Sequence, residues 1–342
     1  MILAAVAALA SWAQVAPTEQ AAMARTPDSV VQLAYAQGGQ LFYSRPGASF
    51  VAPIGLGPDV RPTLLADGGG LRLVTGGVSA TSLDGASWQV GTNGASGEVS
   101  ASGDLLAWAD TSVHVGASSY GPGSAPVVAS GYAAWSVGEA VRVQPVNADG
   151  SPSGEAVTMP DGTGRPSLVV RGGEAFVAAG PALWRVGSST TLALEDAVSS
   201  SVAADARGRV WATWTDGARV FAARSNRDVS ELGASVDLGA LAATRVQVSA
   251  TNTAAHVLAA ANGVSYLKRT LPGLTLDERH RREIFTFSVT DAGDPVRGAV
   301  VKVGGRSGKT DRNGRVTLRV SDRRLRVTAT LKGYSNARLT LK

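Results

Sequence analysis

The stretch 210–223, VWATWTDGARVFAA, sets a tryptophan among small and apolar residues, turns over a polar TDGA and continues as a second apolar run. Looser copies stand at 105–117, LLAWADTSVHVGA, and at 132–143, YAAWSVGEAVRV. Apolar residues alternate here with small or polar ones over four to eight positions, which is the signature of a half-buried β-strand. Aligning the chain on Trp214 gives seven anchors: Tyr35, Val74, Trp108, Trp135, Val177, Trp214 and Leu258. They lie 39, 34, 27, 42, 37 and 44 residues apart. An apolar strand start follows each anchor, and most are preceded by a short alternating stretch such as PTLLADGGG (62–70) or PSLVVRGG (166–173).

Short strands at even spacing, joined by glycine-rich turns and repeated every ~35–45 residues, predict an all-β chain built on a β-propeller. A single blade cannot bury both of its faces, so neighbouring blades must stack. A large residue at one fixed strand position would fill the gap between them, which is the expected role of the seven anchors. Seven blades are counted, with six as the alternative because the 27-residue step after Trp108 implies a trimmed unit. The first unit starts at its second strand. A terminal segment, residues 14–27 or the stretch after 264, is therefore expected to complete a blade.

The composition agrees with a folded, core-burying protein: 44% of residues are apolar and 17% charged among 342. Forty-one glycines supply many tight turns. No cysteine is present, which excludes disulfides, thiolate metal sites and cysteine nucleophiles. The N-terminal MILAAVAALASWA (1–13) is similar to the apolar core and small-x-small cleavage site of a secretory signal peptide, without its basic start. That run is too short for a comfortable membrane span. A secreted or cell-surface protein with no span after signal removal is expected.

Charge divides the chain. Residues 268–342 hold 18 Lys/Arg against 7 Asp/Glu, while the rest holds 14 against 20. The expected organisation is a signal peptide at 1–13, an N-terminal segment at 14–27, the propeller at 28–274, a charged linker at 275–284 (TLDERHRREI) and a small basic sandwich at 285–342. In the last unit, alternating strands are separated by Gly, Asp and Asn turns, with DRNG (311–314) as a strong hairpin signal.

Two resemblances accompany this reading. The pattern carried by Asp291, Pro295-Val296, Gly298-Ala299, Thr310-Asp311, Asn313-Gly314 and Lys332-Gly333-Tyr334 resembles carboxypeptidase-regulatory-like, transthyretin-like Ig-type sandwiches of bacterial secreted proteins. The resemblance implies a non-catalytic appendage and carries over no catalytic residue. SLDGASW (82–88) resembles the Asp-box of sialidase-like propellers, one residue short between Asp84 and Gly85. In that family the box is a structural hairpin.

The chemical candidates are weak. GGRSGKT (304–310) leaves three residues where a phosphate-binding loop needs four, and a turn and strand follow it instead of a helix. His114, His256 and His280 are isolated, with no metal-ligand spacing, and NADG (147–150) is a turn signal lacking the later calcium ligands. A sialidase mechanism needs three arginines for a carboxylate and a tyrosine beside a carboxylate. Arg45-Pro46 faintly resembles that family's first arginine motif, and the other groups cannot be placed. No catalytic residue, cofactor or metal is assigned. Arg319, Arg323, Arg324 and Arg326 gather around one turn as a candidate contact for a polyanion. The expected role is binding or adhesion, with a glycan, an anionic cell-envelope polymer or a protein as partner. Nucleic acid is not expected, because no exposed aromatics interleave the arginines. A glycoside hydrolase of sialidase-like propeller type is the alternative.

Overall fold

The computed structural model describes residues 11–45, 51–67, 70–320 and 325–341. All regular structure in them is β-strand, and no helix is long and apolar enough to cross a membrane. Seven four-stranded antiparallel sheets follow one another along the chain. Their first strands are Ala21–Arg25, Thr63–Asp67, Ser100–Ser102, Ser124–Ala129, Ser167–Arg171, Ser199–Ala204 and Arg245–Ala250. Each first strand packs beside the next, and that of sheet 7 packs beside that of sheet 1, so the series closes into a ring around a channel.

Sheet 7 draws three strands from residues 245–270 and its fourth, Ala13–Ala16, from the N-terminal end. Ala13 pairs with Leu267 and Gln14 with Tyr266. The propeller portion thus begins well before residue 28. Ala21–Arg25 is the first strand of sheet 1 and not part of a separate segment. Its sequence, AAMAR, shows no alternation because its first three residues are all buried. Residues 1–10 of the expected signal peptide lie outside the described residues.

All seven anchors fall on second strands. Tyr35, Trp108, Trp135, Val177 and Trp214 face the preceding sheet in the ring. Val74 and Leu258 face the following one, and their neighbours Leu73 and Val257 take the equivalent place. The alignment slipped by one residue there, and a one-residue slip turns a strand's side chains to its other face. Trp108 is half buried, unlike Trp135 and Trp214. Sheet 3 is cut down to strands of two to five residues, so less of it covers the ring. His114 stacks on Trp108 at 5.0 Å instead. In sheet 5 the aromatic has moved across the ladder: Val177 pairs with Trp184, which fills the gap.

SLDGASW forms a self-bonded turn. Asp84 Oδ1 accepts from the backbone N–H groups of Ala86 and Ser87, and Ser82 Oγ accepts from Gly85 N–H. Gly85 has φ +79°, and a Cβ there would strike the Tyr43 ring.

Residues 275–341 form two further sheets. One contains Thr275–Arg281, Ile284–Asp291, Asp294–Pro295 and Arg315–Arg319. The other runs in spatial order Arg306–Lys309, Val300–Val303, Arg326–Thr330, Ala337–Thr340. Phe285, Phe287 and Val289 of the first share one core with Val301, Val303, Val327 and Ala329 of the second. The expected charged linker is therefore a strand of this sandwich. Leu276 enters the core, with Glu278 and His280 on its side of the strand, while Asp277, Arg279 and Arg281 lie on the other. GGRSGKT is the hairpin between Val300–Val303 and Arg306–Lys309. In the DRNG turn, Gly314 has φ +72° and a Cβ would meet the Val289 carbonyl oxygen at 2.5 Å.

The sandwich is pinned to sheet 6 through Asp291, which is 2% exposed. Its Oδ2 accepts from Arg224 Nη2, from Arg209 Nη1 at 3.3 Å and from the Tyr334 hydroxyl at 3.3 Å. Arg209 Nη2 donates to Asp294 at 2.5 Å. Arg224 lies between the rings of Trp211 and Tyr334.

The seam between sheets 7 and 1 adds polar contacts to the apolar cluster of Leu33, Tyr35, Leu258 and Leu267. Gln247 exchanges hydrogen bonds with Met23 N–H (2.9 Å) and C=O (2.8 Å). Arg25 donates to Ser249 Oγ at 3.0 Å and to His256 Nδ1 at 2.8 Å. Burial, followed by the charges of Arg25 and Arg269, pushes the His256 imidazole down to about 4.

Three outcomes follow. Deleting residues up to Ala16 should lower the thermal midpoint and broaden the unfolding transition, because it exposes the edge of Val264–Thr270; an unchanged melt would show that the strand is dispensable. His256 is neutral in the fold and takes a proton more readily in the unfolded chain. Stability should therefore fall as pH drops from 6.5 towards 4, by no more than about 3 kcal/mol. His256→Gln should flatten that part of a melting-temperature-against-pH curve. Asp291→Ala leaves Arg224 buried without its carboxylate, with only the Asn252 carbonyl as acceptor, at a cost of about 3–5 kcal/mol. Calorimetry should then resolve separate transitions for the ring and the sandwich.

Candidate functional site

The first strands converge on the ring axis, so each has one edge that no strand covers. Their backbone N–H and C=O groups need partners, and side chains from neighbouring sheets supply them. Ser100 Oγ accepts from Val128 N–H at 3.1 Å, Ser167 Oγ from Val202 N–H at 3.1 Å and Ser201 Oγ from Val248 N–H at 3.2 Å. Thr63 Oγ1 donates to the Val99 carbonyl at 2.5 Å. The need for these short hydroxyls explains the Ser or Thr at or near the start of the first strands of sheets 2, 3, 5 and 6.

The strands enclose a cavity of about 450 Å³ that draws lining residues from every sheet. Four charged groups meet where the chain enters its first strands. Arg61 and Glu98 each stand two residues before theirs, as does Arg165, and Arg245 opens its own. Arg165 Nη1 approaches Glu98 Oε1 at 2.6 Å. Arg245 bonds both carboxylate oxygens, at 3.2 and 3.3 Å. Arg61 Nη1 lies 3.9 Å from Oε1, while its other nitrogens donate to the Ala21 carbonyl and to Gln247 Oε1 at 2.9 and 2.7 Å.

Three guanidinium groups surround one carboxylate, a local balance of two positive charges. The Arg61 side chain is 16% exposed, and that of Glu98 29%. Burial, then the Arg245 charge, pushes the Arg61 guanidinium down to about 9 against the opposing pull of Glu98. Burial works against ionisation of Glu98, yet Arg165, Arg245 and Arg61 hold it below the usual carboxylate range. The arrangement can take an anion with little change of shape, and it keeps Glu98 ionised.

None of the residues singled out from sequence belongs to this cluster. The anchors lie between sheets, on second strands. Arg45 follows the third strand of sheet 1, away from the lining, and Pro46 lies outside the described residues. Of the expected polyanion contact, the two described residues, Arg319 and Arg326, do not meet. Arg319 and Arg326 stand on different sheets of the sandwich and project from its opposite outer faces. Arg319 is paired with Glu283 at 3.0 Å, and Arg323 and Arg324 lie outside the described residues. Adjacency across a turn separates side chains when the turn crosses between sheets. The missed signal was a repeat within the repeat: Arg61-Pro62-Thr63-Leu64 and Arg165-Pro166-Ser167-Leu168 are the same phrase. Proline fits there because it stands one residue before the strand, where no ladder N–H is needed.

No protein-family model and no curated protein matches the chain. Solved structures do resemble it. Hsv2 from Kluyveromyces lactis aligns with a TM-score of 0.50 at 7% identity, over 81% of this chain and 98% of that one. A chain of a mitotic checkpoint complex aligns with a TM-score of 0.51 at 9% identity, over 73% and 89%. Both neighbours are propeller folds. At such identities the likeness concerns architecture alone, and with the closed series of sheets it makes this chain an all-β protein with a β-propeller fold.

Proposed function

We propose that the chain is a secreted or cell-surface binding protein, a seven-bladed propeller carrying a small basic Ig-like sandwich, whose propeller mouth takes an anionic group of a glycan or cell-envelope polymer. The excess of cation at the mouth carries the reading: Arg61, Arg165 and Arg245 surround a single carboxylate. Guanidinium groups recognise carboxylate and phosphate through paired N–H donors, and partial burial strengthens such contacts. Glu98 then acts as an internal occupant that an incoming anion displaces or shares.

The sialidase-type alternative has its three arginines here, but no tyrosine is among the cavity's lining residues. A glycosidase acid also needs a raised pKa, and Glu98 is shifted the other way. These two points favour binding over hydrolysis.

Calorimetric titration with uronate and sialyl oligosaccharides tests the reading, alongside an assay for released sugar. Arg165→Ala and Arg245→Ala should each weaken binding about tenfold, or about 1.4 kcal/mol. Glu98→Gln should tighten it, because the competing carboxylate is gone. Failure of both the wild type and Glu98→Gln to bind any acidic sugar overturns the proposal, and hydrolysis by the wild type overturns its non-catalytic part.

A further inference from the structure

The outer face of the sandwich's second sheet is a cationic, hydroxyl-rich plane. Val301, Val303, Val327 and Ala329 fill the core, so the alternate residues of the same strands point outward. Strand register sets them in rows. One row reads Ser307, Lys302, Thr328, Arg338 across four strands. The next reads Lys309, Val300, Thr330. A third holds Arg326 beside Thr340. Lys302, Lys309, Arg326 and Arg338 are all exposed. None of them appears in an ion pair among the described residues, and no acidic residue stands in these rows. The opposite face differs, because Arg319 is neutralised by Glu283 and Asp277 stands among its arginines.

Strand geometry fixes the spacing. Lys302 and Arg338 are two strands apart in one row, about 10 Å at the backbone. Lys309 and Arg326 each stand diagonally from Lys302, at about 7–8 Å. Four cations with no ion pair among the described residues form, at this spacing, a flat array that complements an extended chain bearing regular negative charge. The same rows carry Ser307, Thr328, Thr330 and Thr340, which can donate to and accept from sugar hydroxyls. Stacking platforms for bases are missing. No aromatic residue stands in these rows, and Tyr334 of the same sandwich is engaged with Arg224 and Asp291 at the ring.

We propose that this face binds a linear acidic polysaccharide. The inference rests on reading the chain as a binding protein, but it uses a surface separate from the propeller mouth. The test titrates the full chain with polygalacturonate, with neutral dextran and with oligothymidylate of similar charge, at two salt concentrations. The wild type should bind polygalacturonate, lose affinity as salt rises, and ignore dextran. The double variant Lys302→Glu/Arg338→Glu should weaken binding at least tenfold with an unchanged melting temperature, and the single variant Lys309→Glu should act in the same direction if the double variant folds poorly. Lys302→Arg/Arg338→Lys should retain binding. In an Arg165→Ala background, which impairs the mouth alone, the Lys302→Glu/Arg338→Glu change should still weaken polygalacturonate binding at least tenfold, so a failure of either site is seen separately. Undiminished binding by the charge-reversed variants overturns the proposal, as does equal affinity for dextran. Equal or tighter binding of oligothymidylate assigns the face to nucleic acid and overturns it as well.

Discussion

A strand that ends a sheet leaves half of its backbone groups without partners, and this ring places seven such edges around one channel. Water can satisfy some of them. Where the strands crowd together, the groups are closed off and side chains must reach across. Ser100, Ser167 and Ser201 do so one after another, each capping an N–H of the next sheet's first strand, and Gln247 does it for the seam. The rest of the molecule follows from this need. Short polar residues must line the axis, so the bulk that holds the sheets together moves outward to the second and third strands. Tyr35, Trp135, Trp184 and Trp214 sit there. Charged groups are then left for the channel's entrance, where Arg61, Glu98, Arg165 and Arg245 meet.

What the sequence made legible divides along the same line. The anchors recur because every gap between sheets poses the same packing problem, and like problems select like residues. The first strand of sheet 1 escaped notice because AAMAR is buried around its first residues and shows no period of two. The charge run TLDERHRREI misled for the opposite reason: it does alternate, with Leu276 inward and arginines outward, but the charges mask the rhythm. The mouth could not be read by proximity at all. Its four residues lie 37, 67 and 80 positions apart in the chain, and only ring geometry unites them. The paired phrase Arg-Pro-Thr/Ser-Leu was the one trace, because it marks equivalent entry points on different sheets.

The contact between ring and sandwich shows how a charged surface unit can be held firmly. Arg224 is sandwiched by Trp211 and Tyr334 while Asp291 takes hydrogen bonds from three side chains. A buried pair with this many supports is oriented more than it is strong, since desolvation offsets much of the attraction. Its effect is to commit Asp291 and Tyr334 to the ring. Among the described residues, the paired rows of the basic outer sheet then hold no acidic residue.

The strand Ala13–Ala16 is made early in synthesis, yet its partner, Val264–Thr270, comes some 250 residues later. The ring cannot be sealed until nearly all of it exists. Any partly made chain carries an open seam with two bare edges, one at each end of an unfinished arc. Such edges are templates for pairing with other chains. The same strand that gives the finished protein its closure therefore makes completion of the chain, and not formation of any single sheet, the event that ends its exposure to aggregation.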